Sequence, residues 1–273
     1  MSNPVFRNKV VLVTGAASGI GRALAAELCA AGARLYASDR DATGLHHAAA
    51  TWNGSPSPEL ETLDVTDTSA LRSWIRRCAE REGRLDYLFN NAGIGMAGEF
   101  RYMTPPDWEQ VMAINLSAVV HGCHEAFTYM AEHGGGHLVN TASLLGISPS
   151  PLGGLYSVTK HGVIGLSHTL ALEGASLGIR VTAICPGYID TAIFDNAPKR
   201  GTSKQAMMAL LPWTLYPANQ AARVILRGVA ANKRVVIFPA HARLSAWLWK
   251  HLPWLYAALN KRLLEQHRSQ TIT

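Results

Sequence analysis

The chain has 273 residues, 48% of them hydrophobic and 16% charged, which excludes a disordered or fibrous protein and allows a large apolar core. Its formal net charge is +6, but the basic residues are scattered apart from a mild cluster after Arg234. No helical stretch carries a basic stripe with interleaved aromatics, so no nucleic-acid partner is expected, and the positive field suits a phosphate-bearing ligand instead.

In chain order, "MSNPVFRNKV" has no apolar h-region, so a cytoplasmic rather than secreted protein is expected. "KVVLV" (Lys9 to Val13) reads as a first strand, and a helical pattern runs from Ile20 to Ala31 and stops at Gly32. Between them "TGAASGIG" (Thr14 to Gly21) puts Gly15, Ser18, Gly19, Ile20 and Gly21 at a strand-to-helix turn. Absent side chains there let backbone N–H groups approach a pyrophosphate, and the helix N-terminus favours negative charge. "RLYASD" (Arg34 to Asp39) is the second strand. Its terminal Asp39 can accept hydrogen bonds from both adenosine ribose hydroxyls and would repel a 2′-phosphate, favouring NAD. Arg40 could pair with that phosphate, which leaves NADP open. "LETLDV" (Leu60 to Val65) is the third strand, setting Asp64 and Val65 where an adenine would lie. "LDYLFN" (Leu85 to Asn90) is the fourth and runs into "NNAG", whose Asn91, Ala92 and Gly93 either stitch strand ends together or contact the ligand.

Amphipathic segments near 68–82, 107–132, 156–176 and 217–231 separate these strands from "GHLVNTA" (Gly136 to Ala142), "IRVTAIC" (Ile179 to Cys185) and "RVVIFP" (Arg234 to Pro239). Strands alternating with helices at this spacing predict an α/β fold: a doubly wound parallel sheet of about seven strands with helices on both faces. His121 and His124 lie three apart with no third ligand suggested, so no metal is expected. Cys29, Cys78, Cys123 and Cys185 lack CxxC spacing and read as buried small hydrophobes. Asn115 opens a glycosylation sequon that is read as a false positive in a chain expected not to be secreted.

Ser143, at the tip of the fifth strand, precedes Tyr156 by thirteen residues, and Tyr156 precedes Lys160 by one helical turn. A tyrosine hydroxyl titrates near pH ~10. A cation at 4 Å and an effective dielectric near 20 contributes roughly 4 kcal/mol, up to about 3 pKa units, toward the phenolate. The pair reads as a proton-transfer device.

Together these residues closely resemble the short-chain dehydrogenase/reductase family in its single-domain branch, over Asn8 to about Pro239. "TGAASGIG", "NNAG", Asn115 in "INLSA", the Ser143–Tyr156 spacing, "YSVTK" and "PGYIDT" occur in the family's order. The resemblance implies a Rossmann fold and an NAD(P)-dependent oxidoreductase that interconverts a secondary alcohol and a carbonyl. It implies that Tyr156 is the general acid or base, and that Lys160 lowers its pKa and holds the nicotinamide ribose. Ser143 would polarise the substrate carbonyl, and the Asn115 backbone carbonyl would hold a relay water. Asn91 and Gly93 would line the cofactor floor. Pro186 and Gly187 would abut the nicotinamide, Ile189 would anchor its carboxamide, and Thr191 would bind that carboxamide or the pyrophosphate. Ala142 stands where many relatives have a second serine. A homodimer or homotetramer is expected.

The substrate would be bounded by Met96, Leu144, Leu145, Leu152, Tyr188 and Phe194, which suggests an apolar alcohol or ketone. Residues 192–216 look like a mobile lid over a single domain spanning 1–240. Beyond it, 241–273 reads as an amphipathic helical extension. Leu244, Trp247, Leu248, Leu252, Leu255, Leu259 and Leu263 fall at helical spacing, with Arg243, Lys250, Lys261 and Arg262 among them. Lys250, His251 and Pro253 interrupt the stripe, so it is not a transmembrane span. It is expected to pack on the domain or on a sister subunit, with peripheral membrane contact as the alternative. The functional rivals are a non-catalytic NAD(P)-sensing scaffold and a lipid-surface reductase acting on a lipid-like carbonyl.

Overall fold

Short aliphatic runs such as Val10–Thr14 bury side chains on both faces of a strand, so they need helices above and below. The computed structural model describes residues 4–209 and 214–271 and provides that arrangement. Seven strands form one sheet: β1 (Val10–Thr14), β2 (Arg34–Asp39), β3 (Glu59–Thr62), β4 (Tyr87–Asn90), β5 (Gly136–Thr141), β6 (Ile179–Pro186) and β7 (Val235–Phe238). All neighbours are parallel, in the order β3-β2-β1-β4-β5-β6-β7, so the direction of winding reverses between β1 and β4.

Along β1 the side chains alternate between two cores. Val11 and Val13 join the one capped by α1 (Gly19–Ala30), α2 (Ala42–Ala49) and, later in the chain, a helix over Ala218–Ala230. Val10 and Leu12 join the other, under α3 (Thr68–Glu82), α5 (Ala118–Glu132) and α6 (Gly154–Glu173), while α4 (Pro105–Met112) places Val111 in a small separate cluster with Met96 and Leu155. α7 (Ile193–Asn196) and α8 (Lys204–Ala209) precede the helix on the first face, α9 (Ala218–Ala230), and α10 (Ala240–His251) and α11 (Pro253–Thr271) follow it; α7, α8, α10 and α11 contribute to the substrate end. All four cysteines are buried free thiols.

Three differences from the sequence reading have local causes. β3 ends at Thr62, not Val65, because the Asp64 carboxylate accepts bonds from Thr66 N (2.9 Å) and Thr66 Oγ1 (2.8 Å), closing a turn. The amphipathic segment expected near 107–132 begins its helix at Pro105, where the Asp107 carboxylate accepts from Thr104 N (2.9 Å) and Oγ1 (2.8 Å). It is also interrupted by a π turn over Ala113–Ser117. Helix α2 follows from Asp41, whose side chain accepts from Gly44 N at 2.9 Å.

Candidate active site

An open α/β sheet leaves room for a ligand beyond its carboxyl edge where the strand order reverses. Here that rim is fastened by side chains. Thr14 Oγ1 accepts from the N–H groups of Asn91 (3.0 Å) and Ala92 (3.1 Å). Asn91 Nδ2 donates to the carbonyls of Thr14 (3.1 Å) and Gly15 (3.3 Å), and its Oδ1 accepts from Thr141 Oγ1 at 3.3 Å. Asn91 therefore ties the ends of β1, β4 and β5 together while also lining the cavity above them. Gly15 is left-handed (φ +69°), and a Cβ on Gly21 would stand 1.9 Å from the Gly15 carbonyl oxygen. Thr191 reaches across the cleft to Gly19, where a Cβ would lie 3.0 Å from its Cγ2.

At the far end of this cradle Asp39 Oδ2 accepts from Ala17 N (2.9 Å) and Oδ1 from Asp41 N (3.0 Å). Main chain on both sides thus holds the carboxylate at the cavity edge, with exposed Arg40 beside it and Asp64 and Val65 opposite. Each carboxylate oxygen keeps a further acceptor site. A side-chain-free turn at a helix N-terminus, a fixed acceptor and an elongated cavity of about 780 Å³ together fit a dinucleotide.

The cavity continues over the ends of β5 and β6. Ser143 opens a 3₁₀ turn, Leu144–Gly146, and its Oγ accepts from Leu145 N at 3.2 Å. Ser157 Oγ donates to Leu145 O at 2.6 Å, which fixes α6 against that turn and brings Tyr156 beside Ser143. Burial pushes the Tyr156 phenol up, and its bond with Ser143 pulls it back. Lys160 Nζ donates to Thr141 O at 2.8 Å and lies 5.5 Å from the centre of the Tyr156 ring. Burial brings that ammonium down to about 8. From the helical spacing alone, Lys160 is expected to act on the phenol. In the structure burial and Ser143 dominate at Tyr156, and Lys160 is turned to a carbonyl, because a shared apolar wall penalises both charges.

Asn115 lies in the π turn, fully buried, with Oδ1 accepting from Ile94 N (2.8 Å) and Nδ2 donating to Ile94 O (2.9 Å). Its side chain shapes the loop after β4, close to both Gly93 and Lys160. Pro186, Gly187 and Ile189 line the cavity on the β6 side.

All six expected substrate contacts, Met96, Leu144, Leu145, Leu152, Tyr188 and Phe194, share this one cavity. Ala192, Phe194, Pro198 and Met207 of the segment expected as a lid line it, and 210–213 lie outside the described residues. Arg200 forks onto Asp107 (Nε 2.9 Å, Nη2 2.7 Å), holding that carboxylate well below the usual range, and Lys199–Arg200 pairs with Ala97–Gly98. Sequence reasoning missed the contribution of α10 and α11. His241, Leu248, Tyr256 and Leu263 line the cavity, and His241 stacks on Tyr188 with its Nε2 accepting from Tyr188 N at 3.3 Å. Tyr256 donates to Pro149 O at 3.0 Å, and Arg268 forks onto Glu99 (3.1 and 2.7 Å), so the tail is tied down at both ends of α11. The leucine periodicity signalled a packed face, but nothing in the sequence said that it packs over the site.

A family model described as short chain dehydrogenase matches residues 9–201, which leaves α10 and α11 beyond it. Levodione reductase of Leifsonia aquatica is 39% identical over 199 residues, 71% of this chain and 74% of that protein. The 15-hydroxyprostaglandin dehydrogenase of Homo sapiens, an NAD(+) enzyme by name, is 36% identical over 199 residues, 70% of this chain and 72% of that one. A short-chain dehydrogenase from Sphingobium yanoikuyae, solved in complex with NADPH, superposes with a TM-score of 0.77 at 28% identity, covering 90% of this chain and 94% of that one. The glycine cradle, the Ser143–Tyr156–Lys160 group and these likenesses agree: the chain belongs to the short-chain dehydrogenase family, as an oxidoreductase that uses a nicotinamide dinucleotide on a seven-stranded Rossmann sheet.

Proposed function

We propose that the protein interconverts an apolar secondary alcohol and its ketone, with Tyr156 moving the proton and NAD preferred over NADP. The observation that carries this reading is the placement of Ser143, Tyr156 and Lys160 on one wall of a cavity that runs without a break to the glycine cradle and Asp39.

When bound, the nicotinamide supplies the hydride in reduction and takes it up in oxidation. The chain's own groups handle the proton and the oxygen. Ser143 Oγ accepts from Leu145 N, and its O–H, directed to the Tyr156 oxygen, can turn to a substrate oxygen entering beside it. Burial keeps Tyr156 protonated, which suits a proton donor to a carbonyl. In the oxidative direction the phenol must give up that proton, and the Ser143 bond favours the phenolate. With its ammonium brought down to about 8, Lys160 exchanges protons near neutrality and can resupply Tyr156, through a water on the Asn115 carbonyl.

Asp39 supports the cofactor preference. Its oxygens are held in place by backbone N–H groups, retain capacity for ribose hydroxyls and would face a 2′-phosphate with like charge. The apolar substrate class rests on Met96, Leu144, Leu152 and Phe194, joined by leucines of the tail.

The test is Tyr156→Phe, which removes one oxygen from a packed ring. Turnover with a panel of apolar alcohols and ketones, read by nicotinamide absorbance, is expected to fall ~10³-fold, with cofactor affinity within a few-fold of wild type. Turnover that survives the substitution would remove Tyr156 from the chemistry.

A further inference from the structure

Helix α10 has two occupied faces. His241, Leu244, Ser245 and Leu248 follow the i, i+3, i+4, i+7 spacing of one face and look into the catalytic cavity. Arg243, Ala246, Trp247 and Lys250 follow the same spacing on the opposite face and border a separate shallow groove floored by Ile147 and Ile237. Large apolar side chains of α10 and α11 are in solvent: Trp247, on this outer face, is 52% exposed, and Trp254, at the start of α11, is 70% exposed. Isolated exposed apolar residues are ordinary, but indoles clustered on one helical hairpin mark a contact surface.

Charge identifies what that surface meets. From Ala240 to the end of the sequence there are five Lys and Arg against a single carboxylate, Glu265, so this stretch carries four of the six net positive charges of the chain. Arg268 is engaged with Glu99, and Lys261 with Glu265 at 3.9 Å. Among the described residues no carboxylate forms an ion pair with Arg243, Lys250 or Arg262. Indoles flanked by cations on a helical pair too polar to cross a bilayer make up the composition of an interfacial anchor. A second copy of the chain is a poor occupant. A two-fold interface sets the same patch against itself, so the cations Arg243 and Lys250 would face a patch of the same sign.

We propose that the outer face of α10 and the start of α11 seat the protein on an anionic phospholipid surface. The mouth of the catalytic cavity, edged by half-exposed Leu244 and Leu259, then lies on the hairpin that touches the membrane. This inference rests on surface geometry and charge and stands apart from the catalytic reading.

Co-sedimentation of the full chain with vesicles of phosphatidylcholine alone, or with added phosphatidylserine, tests it without using activity. Wild type is expected to pellet with the anionic vesicles, stay in solution with the neutral ones and be released by raised salt. Arg243→Gln with Lys250→Gln is expected to weaken that partition by about 25-fold. Trp247→Ser with Trp254→Ser is expected to weaken it at least ~10-fold. None of these four side chains lines the catalytic cavity, so turnover of a small water-soluble alcohol is expected to stay at the wild-type level in both variants. Wild type that ignores anionic vesicles, or variants that pellet as wild type does, would overturn the proposal. So would light scattering in which the tryptophan variant alone becomes a smaller species, because the patch would then be an interface between copies.

Discussion

The two ends of the cavity are held by different means. At the nucleotide end the parts that matter are backbone: a left-handed Gly15, a Gly21 with no space for a side chain, and an Asp39 gripped by the N–H groups of Ala17 and Asp41. At the substrate end the walls are side chains from distant segments, held by long-range forks such as Arg200 on Asp107 and Arg268 on Glu99. Backbone geometry restricts residue type at a position, so it leaves a pattern that can be read. Side-chain walls ask only for the right volume and polarity, which many residues supply. The nucleotide end accordingly falls within the matched family region, and the tail that covers the substrate end lies outside it.

The largest way to break this contrast is Gly21→Val. Its Cβ would meet a backbone carbonyl at 1.9 Å, which cannot rotate away. Loss of measurable cofactor binding and a destabilisation of about 2–3 kcal/mol are expected, from cofactor titration and thermal melts. A variant that still binds NAD would show the cradle to be more pliable than it looks.

Lys160→Met should lower turnover by about 10²-fold while showing what the buried ammonium costs. Lysine titrates near 10.4 in an unfolded chain, whereas the folded protein holds Lys160 at about 8. Between those values the unfolded state binds more protons, so wild-type stability rises with pH across that window, and below it the cost is fully present. The variant is therefore expected to gain on wild type at pH ~7 and to lose that advantage toward pH ~10. The lost bond to Thr141 O subtracts about 1 kcal/mol at either pH. Melting at the two pH values reads the sign.

Smaller effects separate the two ends. Leu248→Ala opens the roof and is expected to raise KM for a bulky apolar substrate roughly tenfold, leaving cofactor affinity unchanged. A matching change in cofactor affinity would mean that the tail also shapes the nucleotide end. Asp39→Ala is expected to narrow the NAD-over-NADP preference by up to about tenfold and to cost about 1 kcal/mol of stability as Ala17 N and Asp41 N lose their acceptor. An unchanged cofactor ratio would transfer the discrimination to Arg40.

The seven strands, their parallel pairing, the glycine turn and the Ser143, Tyr156 and Lys160 positions were all readable from residue pattern. Each rests on a local requirement: a two-faced aliphatic strand, a missing Cβ, or one helical turn between two side chains. What the pattern could not contain was contact across the chain. The Asp64 turn that shortens β3 is local but depends on one side chain choosing its own backbone over the ladder. His241 beneath Tyr188, Arg200 on Asp107 and the roofing of the cavity by α10 and α11 join residues tens to hundreds of positions apart. In the sequence alone the tail is an amphipathic stripe with no address. Only the packed structure decides that one face of α10 looks into the site and the other into solvent, because burial is settled by what the rest of the chain leaves uncovered.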